Sequence, residues 1–363
     1  MLDPALGLVE LTRALCDIPS VSGNEQVIAD AVEAALHGRP HLEVLRDGDT
    51  VVARTHLGRA TRVIVAGHLD TVPIAQNVPS RVIGGDVADG SAGELWGRGT
   101  VDMKGGIAVA LALAVELENP SRDVTWVFYD NEEVDAARNG LGRVVRLHPD
   151  WVVGDFAVLG EPTAAGIEGG CNGTLRVEVR IEGVAAHSAR AWTGVNAIHG
   201  AGEVLRRLSG YLPDETDVDG LRYREGMNAV GIRGGISGNV IPDECVVTVN
   251  FRFSPARSLA EAEAHVRDLF AGFEVTVVDG ASGARPGLDD PTAADFAAAV
   301  LATTGRRPAP KYGWTDVARF AELGIPAVNF GPGDPLLAHK DDERCPVWHL
   351  RTCHEALRAW LTS

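Results

Sequence analysis

Short apolar runs that end in acidic residues or a histidine constrain the fold of this chain more than any other feature. The runs 62–67, 123–129 and 156–160 have the length and composition of buried strands, and helical stretches separate them. Strands that alternate with helices predict an α/β layer fold with a mostly parallel sheet. Ligands of such sheets bind beyond the carboxyl ends of the strands, so the polar residues that follow the runs should share one edge.

The pattern changes near residue 174 and changes back near residue 285. Residues 174–182 alternate strictly between apolar and polar side chains, as a half-exposed antiparallel strand does. In the same region we predict strands at 228–236, 243–253 and 273–278 and helices at 195–208 and 258–271. A chain of 363 residues is long enough for two cores. We therefore predict a catalytic domain formed by residues 1–173 and 285–363, with an α+β domain of residues 174–284 inserted into it.

The remaining periodic segments complete the predicted catalytic domain. Helices are expected at 3–16, 22–37, 105–118, 140–147, 292–304, 315–323 and 346–361. Ser22 and Glu25 have the spacing of a capping box at the start of the second helix. Residues 68–104 are predicted to be a loop.

The charge and hydropathy of the chain exclude two classes of partner. A net charge of −17 argues against general nucleic-acid binding, which requires a basic face. No stretch reaches the roughly 18 apolar residues of a membrane helix, and the N-terminus lacks the features of a signal peptide. The five cysteines are scattered without a CxxC pair, as is typical of free thiols. We expect a cytoplasmic protein that acts on a small molecule.

The polar residues at the strand ends suit a pair of divalent metal ions. They are His68, Asp70, Asp102, Glu132, Glu133, Glu161 and, near the C-terminus, His339. Imidazole nitrogen and carboxylate oxygen are ligands that zinc binds. Two ions about 3.5–4 Å apart can generate a nucleophile and polarise a carbonyl group at neutral pH. Each motif alone is usually structural, but the whole set in this order predicts metal-assisted hydrolysis of an amide.

The minimal ligand set of such a centre is a bridging carboxylate, with one histidine and one carboxylate for each ion. We assign His68 and Glu161 to the first ion, Glu133 and His339 to the second, and Asp102 to the bridge.

Two acidic residues remain beside this ligand set. Asp70 should accept the proton on the other nitrogen of the His68 ring. Glu132 is then free to act as general base.

At these residues the chain closely resembles the dinuclear zinc amidohydrolases, a family that includes aminoacylase, carboxypeptidase G2, acetylornithine deacetylase and succinyl-diaminopimelate desuccinylase. The resemblance covers essentially the full length. The matching motifs are GHLDTVP, GRGTVDMKGG, NEE, GEP, AHSAR at 186–190 and the terminal AHKDDE.

The resemblance implies a homodimer that binds two zinc ions, and such ligand sets also accept cobalt or manganese. The inserted domain would serve as lid and dimerisation domain. His187 would reach the partner's active site and hydrogen-bond the developing oxyanion. The peptide bond between Asp102 and Met103 would be cis.

Within the family, stretches such as AHSARAWTGVNAIH and YGWTDVARFAELGIPAVNFGPGDP look most like the actinobacterial desuccinylases. The implied reaction is hydrolysis of N-succinyl-LL-2,6-diaminopimelate to succinate and LL-2,6-diaminopimelate. Asn239 and Arg252 match positions that hold the succinyl carboxylate, for which a fork-shaped guanidinium is well suited. Thr315 matches the position at the diaminopimelate end.

The chain departs from the desuccinylase pattern at residues 170–174, GCNGT, where other desuccinylases carry a basic GRRGS-like segment. Cys171 or Asn172 stands in the place of an expected carboxylate-binding arginine. Arg176 or Arg190 is left as a substitute, so the acyl group is the open part of this prediction.

Other functions stay open on the sequence alone. The nearest alternatives are an acetylornithine deacetylase, an aminoacylase, or a metallo-carboxypeptidase or dipeptidase. A metal- or peptide-binding scaffold without activity is a different class. Glu132 argues against the scaffold, because a pure binding site has no use for an unliganded base beside its metals.

Overall fold

The structure is a computed structural model that describes residues 2–85 and 93–363. Its residues divide into two compact units. The first unit contains residues 1–169, 287–309 and 319–363, and the second contains residues 170–286 and 310–318. The segment 310–318 differs from the sequence-based assignment because its backbone bonds to the second unit. The Asn172 N–H donates to the Lys311 carbonyl oxygen at 3.2 Å.

The helices and the longer strands follow the predicted order, with bounds that differ by a few residues. The helices are α1 (Leu8–Cys16), α2 (Gln26–Leu36), α3 (Lys104–Glu116), α4 (Gly140–Leu147), α5 (Ala197–Ser209), α6 (Leu259–Leu269), α7 (Pro291–Thr304), α8 (Val317–Glu322) and α9 (Val347–Thr362). The strands are β1 (Glu43–Asp47), β2 (Thr50–Arg54), β3 (Arg62–His68), β4 (Arg81–Ile83), β5 (Glu94–Trp96), β6 (Asp123–Tyr129), β7 (Phe156–Leu159), β8 (Glu168–Gly169), β9 (Gly173–Glu182), β10 (Ala186–His187), β11 (Glu215–Val218), β12 (Leu221–Arg224), β13 (Gly226–Gly234), β14 (Val240–Ile241), β15 (Glu244–Phe253), β16 (Glu274–Ala281), β17 (Ala309–Pro310), β18 (Ala327–Asn329) and β19 (Arg344–Pro346).

The main sheet of the first unit has the order β1-β2-β6-β3-β7-β18-β8-β17. Its central strands β6, β3, β7 and β18 run parallel, and β1, β2 and β8 pair antiparallel at the flanks. Strands β6 and β7 are buried along their whole length, as expected for strands covered on both faces. The α/β prediction is confirmed, and the parallel centre aligns the carboxyl ends of β3, β6 and β7.

Helix α3 packs closely against this edge of the sheet. It is apolar around nearly its whole circumference and almost entirely buried. A Cβ atom at Gly106 would overlap the carbonyl oxygen of Gly160, just after β7, so only glycine permits this approach. The first turn of α3 therefore lies directly at the strand ends, and Asp102 lies two residues before it.

The second unit is built on an antiparallel sheet with the order β13-β15-β9-β16. One face of β9 and β15 buries its apolar side chains against α5 and α6. The opposite face carries polar residues such as Thr174, Asn250 and Arg252. This arrangement follows from the strict alternation seen in the sequence. The hairpin β11–β12, which pairs residues 215–218 with 221–224, was not predicted.

Two local predictions are wrong. Ser22 and Glu25 form no capping box, because α2 begins at Gln26 and Glu25 itself is its N-cap residue without a capping hydrogen bond. The segment 68–104 is not a plain loop, since β4 and β5 lie within it and pair with each other, and β5 also pairs with β19 in a small antiparallel sheet. Short strands of three residues carry too little periodicity to be recognised from sequence.

The state of the cysteines and the length and polarity of the helices agree with what the sequence predicted. All five cysteines are buried free thiols, so that prediction is confirmed. Across residues 2–85 and 93–363, every helix is too short or too polar to cross a bilayer.

Candidate metal centre

Residues from distant parts of the first unit converge at the carboxyl ends of β3 and β6. His68 is the last residue of β3 and pairs in register with Tyr129, the last residue of β6. Glu133 lies four residues after β6, and Asp102 lies two residues before α3. One ligand atom from each of His68, Asp102 and Glu133 lies within 4.8 Å of the others.

Asp102 lies between two histidines. Its Oδ1 atom is 3.1 Å from Nε2 of His68, and its Oδ2 atom is 3.2 Å from Nε2 of His339. Nε2 of His339 is also 3.0 Å from Oε1 of Glu133. Each oxygen of Asp102 therefore faces a different imidazole, which is the arrangement of a bridging carboxylate. The Asp102–Met103 peptide bond is cis, as the resemblance implied.

The orientation of the His68 ring tests whether these residues fit a metal ion. Its Nδ1 atom lies 3.0 Å from the carbonyl oxygen of Asp70, an atom that can only accept, so Nδ1 carries a proton. In the neutral ring, Nε2 then presents a lone pair to the Asp102 carboxylate oxygen. Two lone pairs at 3.1 Å repel unless a positive charge lies between them. The donor set therefore fits a cation held by nitrogen and oxygen.

The charges of this centre act strongly on its titratable groups. Burial alone would lower the pKa of His68, but hydrogen bonds to Asp102 and Asp70 raise it well above its ordinary value. Hydrogen bonds to Asp102 and Glu133 raise the pKa of His339 to about 10. Burial would raise the pKa of Asp102, but the two histidines hold it well below its usual range. The carboxylates thus favour positive charge among them, which a divalent cation supplies.

Glu161 is placed at the same edge by the strand register. The parallel pairing of β3 with β7 matches Ala66 with Leu159, and continuing it sets Glu161 level with His68. The Glu161 side chain is buried. This position is consistent with the predicted pairing of His68 and Glu161 on one ion.

Asp70 has a larger role than the sequence indicated. Its carboxylate accepts the backbone N–H groups of both Glu132 and Glu133, each at 3.0 Å, through separate oxygens. The same carboxylate lies 3.4 Å from Nδ1 of His68, although the carbonyl oxygen of Asp70 is nearer to that atom. One fully buried side chain therefore fixes the His68 ring, the candidate base and a candidate ligand together.

Glu132 is half-buried and its backbone is fixed on both sides. Asn131, which precedes it, has a φ of 58°, and its N–H donates to Oε1 of Glu25 at 3.2 Å. The Glu132 N–H donates to Asp70 at 3.0 Å, and the next residue, Glu133, belongs to the group of candidate ligands. Glu132 is therefore beside the candidate ligands, as a general base must be.

Two residues of the N-terminal segment were missed as parts of the centre. The Ser22 hydroxyl donates to Asp70 at 2.7 Å, and buried Glu25 accepts from the N–H groups of Gly23 and Asn131. The spacing of Ser22 and Glu25 was the available signal, but it was interpreted as a helix cap.

His187 and Asn239 lie in the second unit, His187 on β10 and Asn239 directly before β14, the strand with which β10 pairs. His187 of β10 pairs with Val240 of β14, and the Ser188 N–H donates to the Asn239 carbonyl oxygen at 2.9 Å. His187 is exposed, and its Nδ1 atom accepts from the Ala189 N–H at 3.1 Å. Its Nε2 atom therefore carries the proton of the neutral ring and can donate a hydrogen bond.

Arg252 and Thr315 also lie in the second unit, near Cys171. The Cys171 thiol points at the Thr315 carbonyl oxygen, 3.7 Å away, and Cys171 also interacts electrostatically with Arg252. Burial lowers the pKa of Arg252, and the charge of Arg176 lowers it further. Cys171 and Asn172 are fully buried, and Nδ2 of Asn172 donates to the Arg224 carbonyl oxygen at 2.9 Å.

The comparisons with known proteins agree with one another. The family model described as peptidase family M20/M25/M40 matches residues 64–363. A putative succinyl-diaminopimelate desuccinylase DapE of Mycobacterium tuberculosis is 52% identical over 99% of both chains. A succinyl-diaminopimelate desuccinylase of Corynebacterium glutamicum is 45% identical, again over 99% of both chains. A tripeptidase structure from Staphylococcus aureus shares the fold with a TM-score of 0.76 and 20% identity, covering 99% of this chain and 98% of that one.

Replacing Asp70 with Asn should weaken metal binding. An amide nitrogen would set a donor against the N–H of Glu132 or Glu133, and the negative charge beside His68 would be lost. Partners that orient metal ligands typically contribute about 10- to 100-fold to metal affinity. Zinc titration calorimetry on chelator-treated protein measures this loss. Ser22→Ala removes one donor to Asp70 and leaves the hydrogen bonds from the Glu132 and Glu133 N–H groups in place. Its loss of zinc affinity should therefore be smaller. Wild-type zinc affinity in the Asp70→Asn protein would contradict this role.

Proposed function

This chain belongs to peptidase family M20/M25/M40, and we propose that it hydrolyses N-succinyl-LL-2,6-diaminopimelate to succinate and LL-2,6-diaminopimelate. The observation that carries the proposal is the full-length identity of 52% to a putative desuccinylase. The residues at the strand ends supply the chemistry that hydrolysis of an amide needs. A cytoplasmic location stays a prediction.

The proposed centre holds two ions, for which zinc is the expected metal. His68 and Glu161 would hold the first ion, Glu133 and His339 the second, and Asp102 both. Bound ions would supply a nucleophilic water at neutral pH and a Lewis acid for the amide carbonyl. The two oxygens of Asp102, each aimed at a different histidine, support this assignment.

We assign proton transfer to the Glu132 carboxylate. It would take the proton of the attacking water and deliver it to the amide nitrogen, which leaves as the amine of diaminopimelate. This transfer requires a carboxylate that is fixed in place. The bond from the Glu132 N–H to Asp70 and the bond from the Asn131 N–H to Glu25 fix the main chain that carries this carboxylate, which supports the assignment.

We assign stabilisation of the oxyanion to His187. An oxyanion needs a preorganised donor, and the bond from the Ala189 N–H to Nδ1 leaves the Nε2 proton free for this purpose. In the resembling family this histidine acts on the partner subunit, so the assignment includes a homodimer.

The second unit offers a surface for such a dimer. Strand β13 is an edge strand of the antiparallel sheet, and edge strands are ready to pair with another chain. Val230, Ile232 and Ile236 on and beside it are 60%, 55% and 87% exposed. Apolar side chains grouped at a sheet edge support an association surface.

Recognition of the succinyl group is assigned to Arg252 and Asn239, and recognition of the diaminopimelate end to Thr315. Among residues 2–85 and 93–363 no carboxylate forms an ion pair with Arg252, although burial already lowers its pKa. Arg176, in contrast, pairs with Asp279 at 3.1 Å. An exposed guanidinium without a carboxylate partner among the described residues is suited to bind the carboxylate of a ligand.

The substrate prediction is tested by steady-state turnover with added zinc on N-succinyl-LL-diaminopimelate, N-acetyl-ornithine and a panel of N-acyl amino acids. We expect a preference of at least ~100-fold in kcat/KM for the succinyl substrate, equivalent to about 2.7 kcal/mol of transition-state binding. Arg252→Ala should reduce turnover of the succinyl substrate far more than that of an acetyl substrate, because only the succinyl group carries a second carboxylate.

Arg180→Ala is the matched control for Arg252, because Arg180 is a guanidinium on the same polar face of the sheet that already has an acidic partner, Glu244, at 2.8 Å. Equal losses on succinyl and acetyl substrates would remove Arg252 from the assignment. A wild-type preference for acetyl or peptide substrates would place the enzyme with the related deacylases or peptidases and keep the two-metal chemistry.

Glu132→Gln should separate catalysis from metal binding. The amide cannot accept the proton of water, so kcat should fall by several orders of magnitude while zinc content stays at the wild-type level. Metal analysis together with single-turnover kinetics measures both quantities. Loss of metal in this variant would make Glu132 a ligand and overturn the assignment of the base.

Mixing two inactive variants should restore activity if His187 acts on the partner subunit. Random exchange between His187→Ala and Glu132→Gln dimers makes about half of the dimers mixed, each with one intact site. Turnover should then reach about a quarter of the wild-type rate. A mixture that forms mixed dimers, as shown by mass spectrometry, yet stays inactive would place His187 in the site of its own subunit.

A further inference from the structure

A buried ion pair beside the metal centre has no part in the assignments above. Nη1 of Arg98 lies 2.9 Å from Oε2 of Glu343, and the two residues are 245 positions apart in sequence. Arg98 is 3% exposed and Glu343 is not exposed at all. Burying two charges has a large desolvation cost, which only excellent geometry and further hydrogen bonds offset. The further bonds of this pair lead to the candidate ligands.

Glu343 holds the backbone of the segment that carries Asp102. Its Oε1 atom accepts the N–H of Val101 at 2.9 Å and the N–H of Asp102 itself at 3.1 Å. The main chain of the candidate bridging residue therefore depends on a charged acceptor from the C-terminal region.

Arg98 reaches the segments that carry the other ligands. Its Nε atom donates to the carbonyl oxygen of Pro73 at 3.1 Å, three residues after Asp70. Its Nη1 atom also donates to the carbonyl oxygen of Lys340 at 3.1 Å, directly after His339. The planar guanidinium thus makes bonds in fixed directions to two separate backbone segments and to Glu343.

A second connection joins the same segments. Asn77 accepts the Arg98 N–H through its backbone oxygen at 2.9 Å and donates from Nδ2 to the Asp341 carbonyl oxygen at 3.3 Å. The segments around residues 70–80, 97–103 and 338–343 are largely irregular, so their relative positions depend on such bonds rather than on a helix or a sheet.

We propose that Arg98 and Glu343 are positioning residues that set the spacing of Asp102, His339 and the segment after His68, so that the ligand atoms are preorganised for metal binding. The inference rests on the metal centre of the proposed function. It is independent of which acyl group the enzyme removes.

Zinc titration calorimetry on chelator-treated protein tests this with Glu343→Gln and Arg98→Lys. Gln keeps one oxygen for the backbone N–H groups but sets an amide nitrogen against Arg98. Lys keeps the charge but cannot span Glu343, Pro73 and Lys340 as a fork does. Each variant should bind zinc about 10- to 100-fold more weakly than the wild type.

Asp123→Asn is the matched control, because Asp123 is also a buried carboxylate in the first unit that accepts two backbone N–H groups. Its donors are the N–H groups of Leu57 at 2.8 Å and Arg59 at 2.9 Å. Asp123 is the first residue of β6, so it lies at the amino end of the strand, away from the carboxyl ends that carry the candidate ligands. This variant should lose stability in urea and bind zinc with wild-type affinity.

A double variant separates positioning from folding. Replacing a buried ion pair with apolar residues of similar size is often neutral for stability, so Arg98→Met/Glu343→Leu should remain folded. We expect it to bind zinc more weakly, and its visible absorption with cobalt in place of zinc should differ from that of the wild type, because the ligands no longer hold their spacing.

The outcomes distinguish this inference from the proposed function. Wild-type protein that binds no zinc would overturn the metal centre itself. Wild-type protein that binds zinc, with folded Glu343→Gln, Arg98→Lys and double variants of equal affinity and unchanged cobalt spectrum, would overturn only the positioning role.

Discussion

Backbone N–H groups aimed at buried carboxylates are the interaction on which the candidate centre depends. Asp70 accepts from Glu132 and Glu133, Glu25 from Gly23 and Asn131, and Glu343 from Val101 and Asp102. Each pair of bonds fixes two peptide units, which are consecutive in sequence or brought together by the fold, next to a functional side chain. A charged acceptor makes stronger hydrogen bonds than a neutral one, so irregular segments can hold a geometry that loops seldom keep by themselves.

The same interaction resolves a problem of charge. Several carboxylates must lie close together at one edge of the sheet, and like charges repel. Fixed donors stabilise the supporting carboxylates, and Arg98 balances the charge of Glu343. Among the residues that the structure describes, the ion-pair partners of Asp102 and Glu133 are imidazoles. The carboxylates that hold the backbone are therefore distinct from the carboxylates that remain available to a cation.

The position of the candidate ligands at the carboxyl ends of the parallel strands was predictable, because it follows from the pattern of apolar residues in the sequence. Apolar runs specify parallel strands, parallel strands align their ends, and His68, Glu133 and Glu161 follow those ends. Strict alternation at 174–182 likewise predicted the antiparallel sheet of the second unit. Arg98 and Glu343 were not predictable, since their bond joins residues 245 positions apart and leaves no local pattern. The spacing of Ser22 and Glu25 indicated a helix cap and not the bond from Ser22 to Asp70, 48 positions away. Roles for His187, Asn239, Arg252 and Thr315 came only from the resemblance.

The N-terminal segment shows that the residues needed to build this metal centre extend beyond the part of the chain that the family model matches. The family match begins at residue 64, yet hydrogen bonds that hold the centre begin near residue 18. Lys104 donates to the Ile18 carbonyl oxygen and the Ser20 hydroxyl donates to the Leu69 carbonyl oxygen, each at 2.7 Å. A transplant of residues 64–363 into another protein would carry every candidate ligand and leave this bracing behind. Grafting the centre onto a new scaffold therefore means copying its hydrogen-bond donors along with its ligands.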